Sequence, residues 1–219
     1  MSSNKNEAKN DISNETDLNR LQLERFNKLS KIQEQNINPY PYKFERSHTA
    51  LELQDKYKDL PSETETEDEV YVCGRIMNER NTWMFVDLLD DTAKIQLFCH
   101  KQNLEATKLA NLKLLDKGDF IGAFGKIRRT KSGELSVKVL DYTILAKSLS
   151  PIPDSWDGFK DIEDRYRYRH LDLITHPEVK NTFRTRSKIV SFIRHFLDNN
   201  GYLEIETPVL IILKKDWWS

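Results

Sequence analysis

Apolar residues recur at near-helical spacing early in the chain, which predicts an amphipathic helix from Leu18 onward. Proline lacks a backbone donor and restricts the residue before it, so this helix is expected to end before Pro39. A second helix is predicted from Thr49, because Thr49 and Glu52 have the spacing of a capping box. Residues 1–17 are polar without an apolar period, and we expect them to be a disordered tail.

The period changes after an acidic stretch from Glu63 to Glu69, which we interpret as a linker. Polar or glycine-containing turns separate five β-rich segments, namely Val70–Met77, Trp83–Leu89, Lys94–Cys99, Asp119–Ile127 and Leu135–Leu145. One helical stretch, residues 103–115, lies between the third and the fourth. Five strands with a helix after the third is the order of an OB-fold barrel, whose open face binds oligonucleotides.

The chain beyond the barrel reads first as an irregular hinge and then as a long helix. Thr175 and Glu178 are placed to cap this helix, and Pro177 stands in its first turn, where proline is tolerated. Asn200 and Gly201 form a natural stop. A short strand, residues 202–205, is expected to follow and to end by Pro208.

Composition narrows the classes of function. The net charge of -1 argues against an overall polyanion-binding field and leaves a local basic face open. The two cysteines and five histidines show no metal-ligand spacing, so we expect no metal site. No apolar run approaches the roughly 20 residues of a membrane span, and the N-terminus has no signal or transit pattern. We therefore expect a cytoplasmic protein without a membrane partner.

Several segments, in order along the chain, resemble lysyl-tRNA synthetase: residues 37–41, 74–77, 129–137, 161–173 and 181–189. Residues 196–208 resemble motif 1 of class II synthetases, and the resemblance as a whole runs from Leu18 to Leu210. It implies a fold that is mainly β with α, in which an OB barrel holds the anticodon loop of tRNA(Lys) and precedes a class II catalytic domain. The parent reaction is ATP-dependent attachment of lysine to tRNA, with ATP and Mg as cofactors.

The resemblance also sets the expected domain boundaries. These are a disordered tail at 1–17, a helical extension with an acidic linker at 18–68, an OB-fold anticodon-binding domain at 69–147, a hinge at 148–176, the start of the class II domain at 177–210 and an atypical tail at 211–219. Motif 1 forms the homodimer interface of the parent enzyme, and Phe196, Gly201 and Pro208 are its expected interface residues.

Four anticodon-binding residues follow from the resemblance. Phe85 corresponds to the aromatic that stacks on the central anticodon uridine and Gln96 to the amide that hydrogen-bonds it, with Arg80 and Glu134 nearby. Unstacked bases are recognised by stacking on aromatics and by hydrogen bonds to their edges. The alternatives are a core aromatic at Phe85, a solvated strand position at Gln96, a surface arginine at Arg80 and a turn residue at Glu134.

A basic cluster follows the fourth predicted strand. Its members are candidate phosphate contacts, with a solvated hairpin as the alternative: Lys126, Arg128, Arg129 and Lys131.

The segment from Ile211 departs from the family pattern, and motifs 2 and 3 do not occur, which predicts a product truncated just after motif 1. We expect such a chain to hold no cofactor and to be inactive alone. Two alternatives stay open, a non-catalytic OB-fold RNA-binding module and a fragment of an aspartyl- or asparaginyl-tRNA synthetase. The latter shares the central uridine and would keep Phe85 and Gln96.

Overall fold

The computed structural model describes residues 3–152 and 161–208. The chain divides into two compact units, Met1–Ile152 and Pro153–Ser219. The atypical tail predicted at 211–219 lies outside the described residues. In the described part of the chain, no helix is both long enough and apolar enough to cross a membrane.

The first unit contains a closed five-stranded barrel. Its strands are β1 (Glu65–Arg80), β2 (Phe85–Leu89), β3 (Lys94–Phe98), β4 (Phe120–Arg129) and β5 (Leu135–Ala146). They close in the order β1-β2-β3-β5-β4, and every neighbouring pair is antiparallel except β3 and β5. This order confirms the OB-fold prediction.

Alternate strand positions fill the barrel. Successive side chains of a strand point to opposite faces, so one set from each strand points inward. Val86 and Leu88 of β2, with Ile95 and Leu97 of β3, are each at most 3% exposed. The residues between them therefore face outward. Gly125 lies at a register shift between β4 and β5, where a Cβ would come within 2.0 Å of the carbonyl oxygen of Lys138. The close approach of the two strands thus requires glycine.

The acidic stretch predicted as a linker is instead the beginning of β1. Glu65 pairs with Arg128 of β4, and Glu69 pairs with Lys126. Opposite charges directly across an antiparallel pair stabilise it. An apolar period is therefore not needed to place this segment in the sheet, and the prediction of a linker from Glu63 to Glu69 was wrong from Glu65 onward.

Two helices precede the barrel. Helix α1 (Ser3–Glu34) begins inside the segment expected to be disordered. That segment contains neither glycine nor proline, and once a helix is nucleated each further residue adds one hydrogen bond, so the helix continues toward the N-terminus. Helix α2 (Ala50–Lys56) begins with the capping box predicted from Thr49 and Glu52.

Helix α1 is joined to the barrel by buried charged groups. The Arg25 guanidinium donates to the carbonyl oxygens of Lys117, Ser148 and Ser150 at 3.0–3.1 Å. Lys147 is buried between Asp116 and Asp119, with N–O distances of 2.5 and 2.7 Å. Burial raises the pKa of Asp119, while the Lys147 ammonium opposes that rise.

The helical stretch expected at 103–115 consists of α3 (Ala106–Asn111) and a 3-10 turn (Leu112–Leu114).

The second unit contains α4 (Ile162–Arg167), α5 (Arg169–Thr175) and α6 (Pro177–Asn199). The expected hinge is thus helical in its second half. Asp172 of α5 is fully buried, and it accepts hydrogen bonds from Arg165 and Arg169. Its pKa is lowered, because these hydrogen bonds and charges outweigh the burial that would raise it.

The two ends of α6 agree only in part with the ends predicted from the sequence. Its N-cap is His176, because the Thr175 hydroxyl donates to the Leu171 carbonyl oxygen and belongs to the end of α5. The helix ends at Asn200 and Gly201 as predicted, and Gly201 has a φ of +83°. The strand expected at 202–205 is not formed, since among the described residues no other strand lies beside it.

Candidate nucleic-acid interface

Phe85 and Gln96 lie on the same outer face of the barrel. In the antiparallel register Phe85 stands opposite Phe98, and Asp87 stands opposite Gln96. The intervening residues of both strands point into the core. The alternative of a core aromatic at Phe85 therefore does not hold, and the ring lies part-exposed on the outside.

The Gln96 amide is held by two neighbours. Its Nε2 donates to Oε2 of Glu134 at 2.8 Å, and its Oε1 accepts from the Ser136 hydroxyl at 2.7 Å. A carboxylate only accepts, so the Glu134 contact requires the nitrogen of Gln96 to face it. Gln96 is 4% exposed, which differs from a solvated strand position. The amide is covered by its outer neighbours rather than by the core.

Arg80 belongs to a charged network beside that amide. Its NH2 nitrogen donates to Asp87 at 2.9 Å and lies 3.7 Å from Glu134. Lys94 reaches the second oxygen of Asp87 at 3.1 Å. Asp87 is buried and was not among the predicted site residues. The predicted hairpin of β2 and β3 could have identified Asp87 from the sequence, because its register places Asp87 opposite Gln96.

An aromatic cluster extends the face on the other side of Phe85. The ring centroids of Phe85 and Phe98 are 5.3 Å apart, and the His100 ring stacks on Phe98 at 5.6 Å. The Arg128 guanidinium carbon lies 4.4 Å from the Phe98 centroid. An open cleft of about 490 Å³ is lined by Phe85, Phe98, Arg128, Thr130, Lys131 and Ser132. Phe98 and His100 were also missed, although Phe98 stands two residues after Gln96 on the outer face of β3 and His100 stands two residues beyond the end of that strand.

The four candidate phosphate contacts fall into two groups. Arg128 and Lys131 line the cleft. Lys126 forms an ion pair with Glu67 instead. Arg129 turns away, and its guanidinium donates to the carbonyl oxygens of Gly133 and Tyr57, both at 2.7 Å. Its Nε is buried without a hydrogen-bond partner. The structure thus brings half of the predicted cluster to the cleft.

The predicted interface residues of motif 1 lie in the second unit. None of the residues of α6 is buried, and Phe196 is 57% exposed, with its ring 6.4 Å from that of Phe192. Gly201 follows the helix, and Pro208 is the last residue described. The exposed apolar side chains on α6 are Phe183, Ile189, Val190, Phe192, Ile193, Phe196 and Leu197.

Comparison with known families agrees with this architecture. Residues 70–145 match the OB-fold nucleic acid binding domain family, which covers the barrel. Residues 161–215 match the family of class II tRNA synthetases (D, K and N). This second match extends into the tail predicted at 211–219. Together the two matches place the chain among the class II tRNA synthetases of the aspartate, lysine and asparagine group.

Three relatives of the chain are all lysine–tRNA ligases. The lysine–tRNA ligase of Gloeobacter violaceus is 49% identical over 90% of this chain and 40% of its own length. Those of Thermosynechococcus vestitus and Rhizobium leguminosarum bv. trifolii are each 47% identical, over 87% and 85% of this chain. The chain belongs to the lysyl-tRNA synthetase family. It spans about 40% of the length of the relatives that it matches.

Proposed function

We propose that this chain binds the anticodon loop of tRNA(Lys), with the central uridine stacked on Phe85 and read by Gln96. The observation that carries the proposal is the outward-facing Phe85 ring beside an amide whose orientation is fixed by Glu134 and Ser136. A ring supplies stacking for any base, whereas an oriented amide distinguishes one base from another.

The oriented amide favours uracil over cytosine. The Gln96 nitrogen carries two hydrogens, and Glu134 takes one of them. The amide is 4% exposed, so its outer neighbours have to move aside before the second hydrogen can reach a base. Uracil presents a carbonyl oxygen at position 4, where cytosine presents an amino group. The carbonyl accepts from Gln96, whereas the amino group would place two donors against each other.

The cleft next to Phe85 has room for a neighbouring nucleotide. Its volume of about 490 Å³ lies in the range of small-ligand sites. Guanidinium planes are stacking surfaces for bases, and the Arg128 guanidinium carbon already lies over the Phe98 ring. Lys131 stands exposed at the edge of the cleft, where it can meet a backbone phosphate. We assign Arg128 to stacking and Lys131 to phosphate binding.

We further propose that the longer enzyme attaches lysine to this tRNA with ATP and Mg. In the described residues, no group of three or more His, Cys, Asp or Glu side chains is arranged to hold a metal ion. The part that we assign to the described residues in this reaction is to hold the anticodon.

Association of two copies through α6 is a separate proposal. The exposed side chains of Ile189, Ile193 and Phe196 recur at four- and three-residue spacing, so they share one face of a helix that has no buried residue. We expect sedimentation velocity to show concentration-dependent dimers, and Phe196→Glu to shift the chain to monomer. Equal sedimentation of both chains at all concentrations would contradict this.

The central experiment is a titration of the 219-residue chain with RNA stem-loops that carry a lysine anticodon, an aspartate anticodon, or a lysine anticodon with cytidine in the middle. We expect the lysine loop to bind most tightly and the cytidine loop most weakly. A general OB-fold RNA-binding module would bind all three alike, and a synthetase of the aspartate branch would prefer the aspartate loop. Either result would overturn the proposal.

A further inference from the structure

Helix α2 contacts both hairpins that carry the proposed site. The first hairpin, β2–β3, holds Phe85 and Gln96. The second, β4–β5, holds Lys131 in its turn and Glu134 just before β5. Apart from its buried apolar residues Ala50 and Leu53, α2 makes polar contacts at each end, and these go to different hairpins.

The N-terminal end of α2 is bound to the β2–β3 turn. The backbone nitrogen of Ala50 donates to Oδ2 of Asp90 at 2.8 Å, and that of Leu51 donates to the Thr92 hydroxyl at 3.2 Å. One turn further on, Nε2 of Gln54 donates to the carbonyl oxygen of Lys94 at 2.7 Å. The helix is thereby attached to the start of β3.

The C-terminal end of α2 is bound to the β4–β5 turn through Arg129. One guanidinium nitrogen donates to the carbonyl oxygens of Tyr57 and Lys58, at 2.7 and 3.2 Å. The other donates to the carbonyl oxygen of Gly133 at 2.7 Å. Arg129 thus ties the end of the helix to the peptide group between Gly133 and Glu134, and Glu134 is the residue that holds the Gln96 amide.

These hydrogen bonds of α2 lie at the end of the sheet where β3 and β5 are not paired with each other. The parallel pairing of β3 with β5 covers three residue pairs and begins at Gln96 and Ser136. Lys94 and Glu134, two residues earlier in the same register, lie beyond the paired positions. There the Lys94 carbonyl oxygen accepts from Gln54 of α2. The Gln96–Glu134 hydrogen bond therefore lies at the open end of a short ladder, next to α2.

We propose that α2 is a brace that sets the spacing of the two hairpins, and that Arg129 and Gln54 are positioning residues for uridine discrimination. The inference rests on the proposed function, because discrimination depends on the orientation of Gln96. When either link is lost, the open end of the ladder can widen, Glu134 moves away, and the amide is no longer held in one orientation. Neither residue touches the base.

The test uses Arg129→Lys and Gln54→Met in the 219-residue chain, with Arg20→Lys on the exposed part of α1 as control. A lysine ammonium cannot reproduce a planar fork that reaches two separate groups. Methionine keeps the length of Gln54 without its donor. The readout is the ratio of dissociation constants for the cytidine and uridine stem-loops. Partial unfolding would weaken both complexes by the same factor and leave this ratio unchanged, so the ratio separates positioning from stability.

We expect each variant to lower the ratio about fivefold or more, which is the lower end of the effect of one lost base contact. The control variant should keep the wild-type ratio. If the wild-type chain discriminates between the two loops and both variants keep the wild-type ratio, the brace is overturned and the proposed function is not. A lower ratio in Arg129→Lys but not in Gln54→Met also overturns it, since the role of Arg129 would then lie within its own hairpin. A wild-type chain that binds both loops equally overturns the proposed function and the brace together.

Discussion

The amide nitrogen of Gln96 donates to the carboxylate of Glu134 at 2.8 Å, from the middle of β3 to the residue before β5. On its other side the amide oxygen accepts from Ser136. The orientation of the amide is therefore set by the protein before RNA arrives. A site oriented in advance gains specificity because fewer groups have to be ordered on binding.

The carboxylate of Glu134 is the group that makes this orientation unique. In Glu134→Gln the new amide can present either a donor or an acceptor to Gln96, so both orientations of Gln96 become satisfied. We expect the preference for a central uridine over cytidine to fall by about 1 kcal/mol, the lower end for a base contact. Fluorescence titration with the two stem-loops measures it. An unchanged preference would show that Glu134 does not orient the amide.

Stacking on Phe85 and hydrogen bonding by Gln96 should each contribute to RNA binding. We expect Phe85→Ala and Gln96→Ala each to weaken binding of the lysine stem-loop by about 1 to 3 kcal/mol. Tyr71→Ala is a matched control, because Tyr71 is 44% exposed and stacks on Phe124 across the β1–β4 pair. Isothermal titration gives the affinities. If both site variants bind like the control, the site assignment is refuted.

Two lysines of the predicted basic cluster should differ in their effect on salt dependence. Lys131 is exposed at the cleft, whereas Lys126 is paired with Glu67. We expect Lys131→Ala to reduce the slope of log affinity against log salt by about 0.7, the value for one phosphate of a single strand. Lys126→Ala should leave the slope unchanged. Equal slopes for both variants would argue against a phosphate contact at Lys131.

The buried charges beneath α1 should dominate the stability of the first unit. Lys147→Met leaves the Asp119 carboxylate buried without its cation, a change that costs about 3 to 5 kcal/mol in the free energy of unfolding. Burial already raises the pKa of Asp119, and without the lysine only the backbone N–H groups of Ser148 and Asp116 oppose that rise. An acid whose pKa is raised on folding binds its proton more tightly in the folded state. The deficit should therefore be largest at neutral pH and shrink as the pH falls through the folded pKa toward the ordinary aspartate value.

Urea unfolding of both chains at neutral and mildly acidic pH tests this linkage. Lys28→Met serves as a partial control, because Lys28 contacts Asp116 from the part-exposed side of the same cluster. A deficit that grows on acidification would contradict the assignment of the raised pKa to Asp119.

The strand pattern was readable because one face of each strand is buried. The face of Phe85 was left open by the sequence, and the burial of Val86 and Leu88 shows that the ring points outward. Arg128 and Arg129 have different contacts that could not be predicted from the sequence alone. Both are basic and adjacent on β4, yet one lies on an aromatic ring and the other donates to backbone carbonyls. These roles depend on Phe98 and Tyr57, which are distant in the chain.

The attachment of α1 determines where the OB-fold module can be cut out of the chain. Arg25 and Ile32 are both buried in the first unit, although the OB family match begins only at residue 70. A fragment cut at that boundary would lose the opening residues of β1 and leave the carbonyl groups of Lys117, Ser148 and Ser150 without their arginine. A minimal version for RNA titration or crystallisation therefore has to begin upstream of Arg25 and extend through Ser150.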